Sequence, residues 1–290
     1  MIAPLLRRVL LRERQSALAI EVEAYAAAPD RAAIEAHQLE QFNRVWQYCL
    51  SEVPFYKEWA ERHHLPASVG SLSQLAEFPR LTKAELVARE DEIFQDGRIR
   101  LAYSTGGSTG APARFPRGEA DATGFYSNTY AGRSWWGIRP FDSYVHLWGH
   151  AHLFGGASGL SGKVTKVKRA VQDRLANAVR LNAYDMSESA LEEHYRATVR
   201  RNPAYIVGYT SAVFKLARHA QTRYPDVKRR LTNLRGVVVT AETVTRADAA
   251  LIGEVFGVPV ITEYGAAETG VMATSRGDTW PLQVLWRNFI

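Results

Sequence analysis

From Ser187 onward the chain alternates short apolar runs with capped, helix-patterned stretches, and this limits its possible folds more than any other feature. Ser189 with Glu192 reads as the start of a helix to about Arg201, followed by a short buried strand from Ala204 to Val207. Thr210 or Ser211 opens a second helix, to about Tyr224. Gly236 to Thr240 reads as a second strand; Thr245 then caps a helix that Gly257 ends, and Val258 to Thr262 is a third strand. Short apolar strands joined by helices of this length indicate a parallel sheet with right-handed crossovers. The expected fold class is therefore α/β, with mainly parallel sheets flanked by helices.

The front of the chain reads differently. Residues from about Leu5 to Leu50 carry apolar positions at helical spacing with one break, at Pro29-Asp30, which predicts two amphipathic helices. Thr82 and Glu85 form a capping-box signature for a helix to about Glu92. The division expected is a helical N-terminal region, 1–100, packed on an α/β core, 101–290.

Composition bounds the remaining choices. With 290 residues and 46% apolar content the chain can bury a sizeable core. Its 36 basic and 30 acidic residues leave a net charge of +6, which favours phosphate-bearing partners or a merely solvated basic surface. No basic run is long enough for a nucleic-acid arm, so nucleic acid is not an expected partner. Arginines interrupt the first apolar stretch too early for a signal peptide, and no segment approaches the roughly 20 apolar residues of a membrane span. Cys49 is the only cysteine, so no intrachain disulfide can form, and its apolar neighbours Tyr48 and Leu50 suit a buried thiol better than a nucleophile. The expectation is a soluble cytoplasmic protein that does not engage membranes; a homodimer is compatible with it.

Ser104-Thr105-Gly106-Gly107-Ser108-Thr109-Gly110-Ala111-Pro112 is the most informative stretch. Glycines let the backbone approach an anion and adopt positive φ, so that successive N–H groups converge on phosphate oxygens. The hydroxyls of Ser104, Thr105, Ser108 and Thr109 add uncharged donors. The segment has neither the lysine ending of a P-loop nor the spacing of a dinucleotide fingerprint. A flexible surface loop is the alternative. A second stretch, Glu263-Tyr264-Gly265-Ala266-Ala267-Glu268-Thr269-Gly270, directly follows the third strand, where open α/β sheets bind ligands. Tyr264 offers a flat face for an adenine ring, Gly265 keeps the backbone clear of a ribose, and Glu268 offers hard oxygens for the Mg²⁺ that accompanies ATP.

Tyr144, His146, Trp148, His150, His152 and Phe154 all fall on even positions, so an extended backbone would line them along one face. That face could wall an aromatic pocket, pack plainly as core, or present three histidines to a zinc ion.

Together these motifs resemble the adenylate-forming superfamily of acyl-CoA synthetases, luciferases and peptide-synthetase adenylation domains. Thr105 to Pro112 is similar to its phosphate-binding loop, except that Ala113 stands where many members carry lysine and Arg114 follows. Tyr264 to Glu268 resembles its Tyr-Gly-x-Thr/Ser-Glu signature, with Ala267 in place of the usual hydroxyl residue. Thr240-Ala241-Glu242-Thr243 resembles the turn that lines adenine. Val207-Gly208-Tyr209-Thr210-Ser211, Val53-Pro54-Phe55-Tyr56 and Phe78 to Lys83 resemble the phenylacetate–CoA ligase and capsule-biosynthesis branch.

The resemblance implies the large N-terminal domain of an enzyme that joins a carboxylic acid, aryl acids among the candidates, to AMP with release of pyrophosphate. The acyl group would pass to coenzyme A, a carrier protein or an amine. ATP and Mg²⁺ are the implied cofactors. Ser104 to Gly110, Ala241, Glu242, Tyr264 and Gly265 would bind nucleotide, and Glu268 the magnesium. Trp148, His150 and Tyr209 would bind the acid, and Glu268, Thr109 and His150 are the candidates closest to the chemistry. The family's ribose-binding aspartate, hinge and small C-terminal lid domain have no counterpart in these residues, Gly277-Asp278 lying in the wrong setting. A truncated enzyme is therefore expected, with incomplete activity alone. A non-catalytic or split-enzyme nucleotide-binding module, and adenylation of a carboxylate-bearing cofactor, are the alternatives.

Overall fold

A computed structural model of the chain describes residues 12–94, 101–104, 114–149 and 170–290. Two compact units emerge. One is built mainly from Thr129–Gly265 and Ala273–Gln283, the other from Glu13–Asn128, Ala266–Met272 and Val284–Ile290.

The first unit carries the sheet. β3 (Tyr144–Trp148), β4 (Ala178–Asn182), β5 (Tyr205–Tyr209), β6 (Gly236–Thr240), β7 (Val260–Ala266), β8 (Gly270–Ser275) and β9 (Leu282–Val284) are ordered β4-β3-β5-β6-β7-β8-β9. Every pairing from β4 to β7 is parallel. The central strands lack polar alternation because both sheet faces are covered. Ile206, Val237 and Val239 enter one core with Val213, Leu216 and Ile252. Their neighbours Tyr205, Val207 and Val238 point the other way and pack with Ile138 and Ile261. Each aliphatic side chain buried this fully stabilises the fold by about 1.5–3 kcal/mol before entropy is charged against it.

Helices α7 (Glu188–Arg201), α8 (Thr210–Arg223) and α10 (Arg246–Phe256) join the strands, with the short α9 (Val227–Arg230) between β5 and β6. Thr245 and Asp248 form the capping box of α10, and Gly257 ends it in the left-handed region at φ 71°. The cap of α7 is Ser187 rather than the expected Ser189: the Ser187 hydroxyl accepts the Ala190 N–H, while Ser189 lies in the first turn. β7 also differs from its sequence reading. It begins at Val260 and runs on to Ala266, so Glu263, Tyr264 and Gly265 belong to the strand rather than to a loop behind it.

The second unit contains the helices of the N-terminal region: α1 (Arg12–Ala27), α2 (Arg31–Glu52), α3 (Pro54–Arg62), α4 (Lys83–Ala88) and α5 (Glu90–Ile93). The break at Pro29-Asp30 falls where expected, and the Asp30 carboxylate caps α2 by accepting the Ala33 N–H at 2.8 Å. The Thr82–Glu85 capping box opens α4, but the helix yields at Arg89 and restarts as α5. Trp46, Phe55 and Trp59 form an aromatic core with Phe42, Tyr56 and Phe78 around them. Cys49 sits half-buried at its edge, and burial pushes its thiol pKa up, away from nucleophile chemistry.

α6 (Glu119–Ser134) lends its early turns to the second unit and its last, from Thr129, to the first. Among the described residues no helix is long and apolar enough to cross a membrane.

Candidate functional site

Trp148, Tyr209, Ala241, Glu242, Tyr264 and Gly265, six of the residues singled out from sequence, lie at or just past the carboxyl ends of β3, β5, β6 and β7. On β3 the burial alternates: Val145 and Leu147 are fully buried, while Tyr144, His146 and Trp148 face the opposite way and remain partly exposed. The period-two expectation therefore holds across this strand. The rings run in sequence along that face, with His146 centred 6.2 Å from Tyr144 and 5.2 Å from Trp148. Tyr205 on β5 stacks on Tyr144 at 5.0 Å, and Tyr209 meets Trp148 at 4.3 Å. Burial raises the Tyr209 phenol above its ordinary range, so the wall offers a neutral hydroxyl among aromatic carbons.

Gly208 is required for this arrangement. A Cβ there would lie 2.5 Å from the Leu147 carbonyl oxygen and 2.9 Å from the Leu147 Cβ, so β3 and β5 approach only over a glycine. Tyr209 then serves as the first residue outside α8, without a side-chain cap of its own.

Glu242, just past β6, supplies that cap from outside the helix. Its carboxylate accepts the Ser211 backbone N–H at 2.7 Å and the Ser211 hydroxyl at 3.0 Å, and its carbonyl accepts the Thr210 hydroxyl at 3.3 Å. A negative charge at a helix N-terminus meets the orphan N–H groups and the positive end of the dipole. The preceding Ala241 is held at φ 66°, a left-handed conformation that costs a residue with a Cβ about 1 kcal/mol. Strain held by surrounding bonds is a feature of ligand-binding turns.

β7 alternates sharply at its end. Glu263 is 4% exposed and Tyr264 is 61% exposed. The last paired positions of β6 and β7 are Val239 and Thr262, so Ala241, in the turn after β6, and Tyr264, on β7, each lie two residues beyond them. The inward Glu263 meets Arg133 from the last turn of α6 in a two-pronged ion pair, Nε to Oε1 at 2.7 Å and the second nitrogen to Oε2 at 3.0 Å. Burial works against the Arg133 charge, but the facing Glu263 carboxylate together with Tyr205 and Tyr130 more than offsets it, so its pKa stands above the ordinary arginine value. Nothing in the sequence pairs two residues 130 positions apart, so this ion pair could not be read from it.

In the second unit, Ser104 closes β1 (Leu101–Ser104), opposite Arg114 of the antiparallel β2 (Arg114–Arg117). The residues joining these strands include Thr105, Gly106, Gly107, Ser108, Thr109 and Gly110, which lie outside the described residues. His150 and His152 lie outside them as well, and with them the three-histidine reading. Glu268 is exposed. Thr269 donates its hydroxyl to the Gly270 carbonyl at 3.3 Å. Gly270 sits at φ 69° against the Phe125 ring, where no side chain would fit.

Solved structures share this architecture. In the thioesterification state, 2-hydroxyisobutyryl-CoA ligase bound to 2-HIB-AMP and CoA superposes with a TM-score of 0.66. It is 18% identical to this chain, over 88% of it and 54% of the ligase. The post-adenylation state of that ligase gives a TM-score of 0.64 at 17% identity, over 90% of this chain and 53% of the ligase. The chain has the fold of about half of that ligase. A curated relative, Protein CapK of Staphylococcus aureus, is 21% identical over 241 residues, 80% of this chain and 49% of that protein. The chain thus spans about half the length of the proteins it matches. No family model matches it.

Proposed function

We propose that this chain contributes the nucleotide- and acid-binding part of an ATP-dependent carboxylate-activating enzyme. In the proposed reaction a carboxylate oxygen attacks the α-phosphorus of ATP, the bond to the β-phosphate oxygen breaks, and pyrophosphate leaves. A thiol of coenzyme A or a carrier protein, or an amine, then attacks the acyl carbon; AMP departs with its oxygen and the nucleophile loses its proton. Charge neutralisation and positioning are what such a reaction asks of the protein.

What supports this reading is one juxtaposition. Tyr264 and the Ala241–Glu242 turn, picked from sequence as nucleotide contacts, stand at the ends of adjacent parallel strands in a fold that 2-hydroxyisobutyryl-CoA ligase shares. The residues present fit the ligands. Tyr264 presents an exposed ring for adenine, and Glu268 an exposed carboxylate for Mg²⁺, which would draw charge from the phosphates when bound. Ser104 to Gly110 would hold phosphates, with Thr109 and His150 nearest the reacting groups. Trp148 and Tyr209 would flank the acid, and their contacting rings suit a planar or aryl acid. Residues 1–100 would form the helical support and 101–290 the binding core of a cytoplasmic enzyme.

Acid-dependent exchange of pyrophosphate into ATP tests the proposal, using the full-length gene product and a panel of aryl and short-chain acids. Exchange with one acid establishes adenylate formation. ATP binding without exchange favours a nucleotide-binding module or one half of a split enzyme. Absence of both overturns the assignment.

A further inference from the structure

The buried Arg133–Glu263 pair has no part in the reaction as proposed, yet it is costly to keep. Its side chains are 11% and 3% exposed. Replacing a buried ion pair by well-packed apolar groups is often neutral or stabilising, so stability alone gives little reason for such a pair. Its location suggests another reason. Glu263 immediately precedes Tyr264, and in a strand consecutive side chains point to opposite faces. A rigid two-pronged bond on the inner side of Glu263 therefore dictates where the outer ring of Tyr264 projects. Arg133 is itself held on both sides. Its guanidinium carbon lies 5.3 Å from the Tyr205 ring centre and 5.7 Å from that of Tyr130, and one nitrogen reaches the Tyr205 hydroxyl at 3.4 Å. Tyr205 stacks on Tyr144, at the foot of the ring series that ends at Trp148.

We propose that the Arg133–Glu263 pair is a positioning device: it locks the end of β7 so that Tyr264 is presented to the adenine ring, and ties that strand to the aromatic wall of β3 and β5. Arg133 and Glu263 are positioning residues and touch no substrate. The functional half of the inference rests on the nucleotide reading above.

The test compares the full chain with Glu263→Gln, which keeps the shape but removes the charge, with Tyr264→Ala, and with the double variant. Affinities for MgATP and for magnesium tripolyphosphate are measured by calorimetry, and amide hydrogen exchange of 262–266 is followed without ligand. The expected result is a loss of about tenfold in MgATP affinity for Glu263→Gln, with tripolyphosphate binding unchanged, because only the base contact is displaced. The double variant should bind MgATP no more weakly than Tyr264→Ala, since the two residues act through one contact. Exchange at 262–266 should accelerate in Glu263→Gln. A general structural role would weaken both ligands alike, or add its loss to that of Tyr264→Ala, and either result overturns the proposal. A parent chain that binds no MgATP overturns the nucleotide reading instead. Hydrogen exchange then decides the anchor by itself, and unchanged rates overturn it.

Discussion

Glu242 caps a helix to which it does not belong: 31 residues beyond Ser211, its carboxylate takes both the backbone N–H and the hydroxyl of that residue. The bond fastens the turn after β6 to the first turn of α8, and so fixes two of the segments assigned to ligand binding. Replacing Glu242 by Ala should cost about 1 kcal/mol, the usual worth of an N-cap, read as a lower midpoint in urea. An unchanged midpoint would mean that water replaces the cap without loss.

Gly208→Ala should be far more damaging than its single added methyl suggests. The new Cβ meets the backbone of β3 at Leu147, which cannot move aside without breaking the sheet. Overpacking of this kind costs about 1–3 kcal/mol. Denaturant unfolding would show it, and a variant as stable as the parent would imply that β3 shifts freely.

Acid stability should depend on Glu192. Its carboxylate accepts the Tyr224 hydroxyl at 2.6 Å and faces His219 at 3.1 Å, and these bonds, the tyrosine's first, hold its pKa down at about 2. The folded pKa lies below the unfolded one, so the contribution is present above the ordinary carboxylate range and is lost as pH falls through about 2. Glu192→Gln should flatten the decline in melting temperature between about pH 5 and 2. Parallel curves for parent and variant would count against this carboxylate as the titrating group.

Glu268→Ala should leave the fold intact, because the side chain is exposed, while lowering acid-dependent pyrophosphate exchange by about 100-fold or more. Circular dichroism and the exchange assay decide it together. Full exchange by the variant would remove Glu268 from the magnesium assignment.

Trp148→Ala should weaken the acid and spare the nucleotide, since its ring packs on Tyr209 in the aromatic wall. The expected signature is a KM for acid raised about tenfold with the KM for ATP unchanged. Equal effects on both would place Trp148 outside the acid pocket.

The architecture was legible in the sequence wherever local chemistry decides local structure. Gly236–Thr240 reads as a buried strand because nothing in it tolerates water, and Thr245 and Gly257 mark the ends of α10 because a hydroxyl cap and a left-handed turn are local needs. Tyr264 stands out as an aromatic beside glycine after an apolar strand, whereas Ala241 and Tyr209 are singled out only by the family resemblance of their segments. Tertiary structure alone decided the rest. Whether Tyr264 lies in a loop or a strand is decided by pairing within the sheet, and β7 proved to extend through it. The Arg133–Glu263 pair and the Glu242 cap join residues 130 and 31 positions apart. Neither leaves a periodicity, because a single arginine or glutamate is read from sequence as a solvated charge until the fold removes its water.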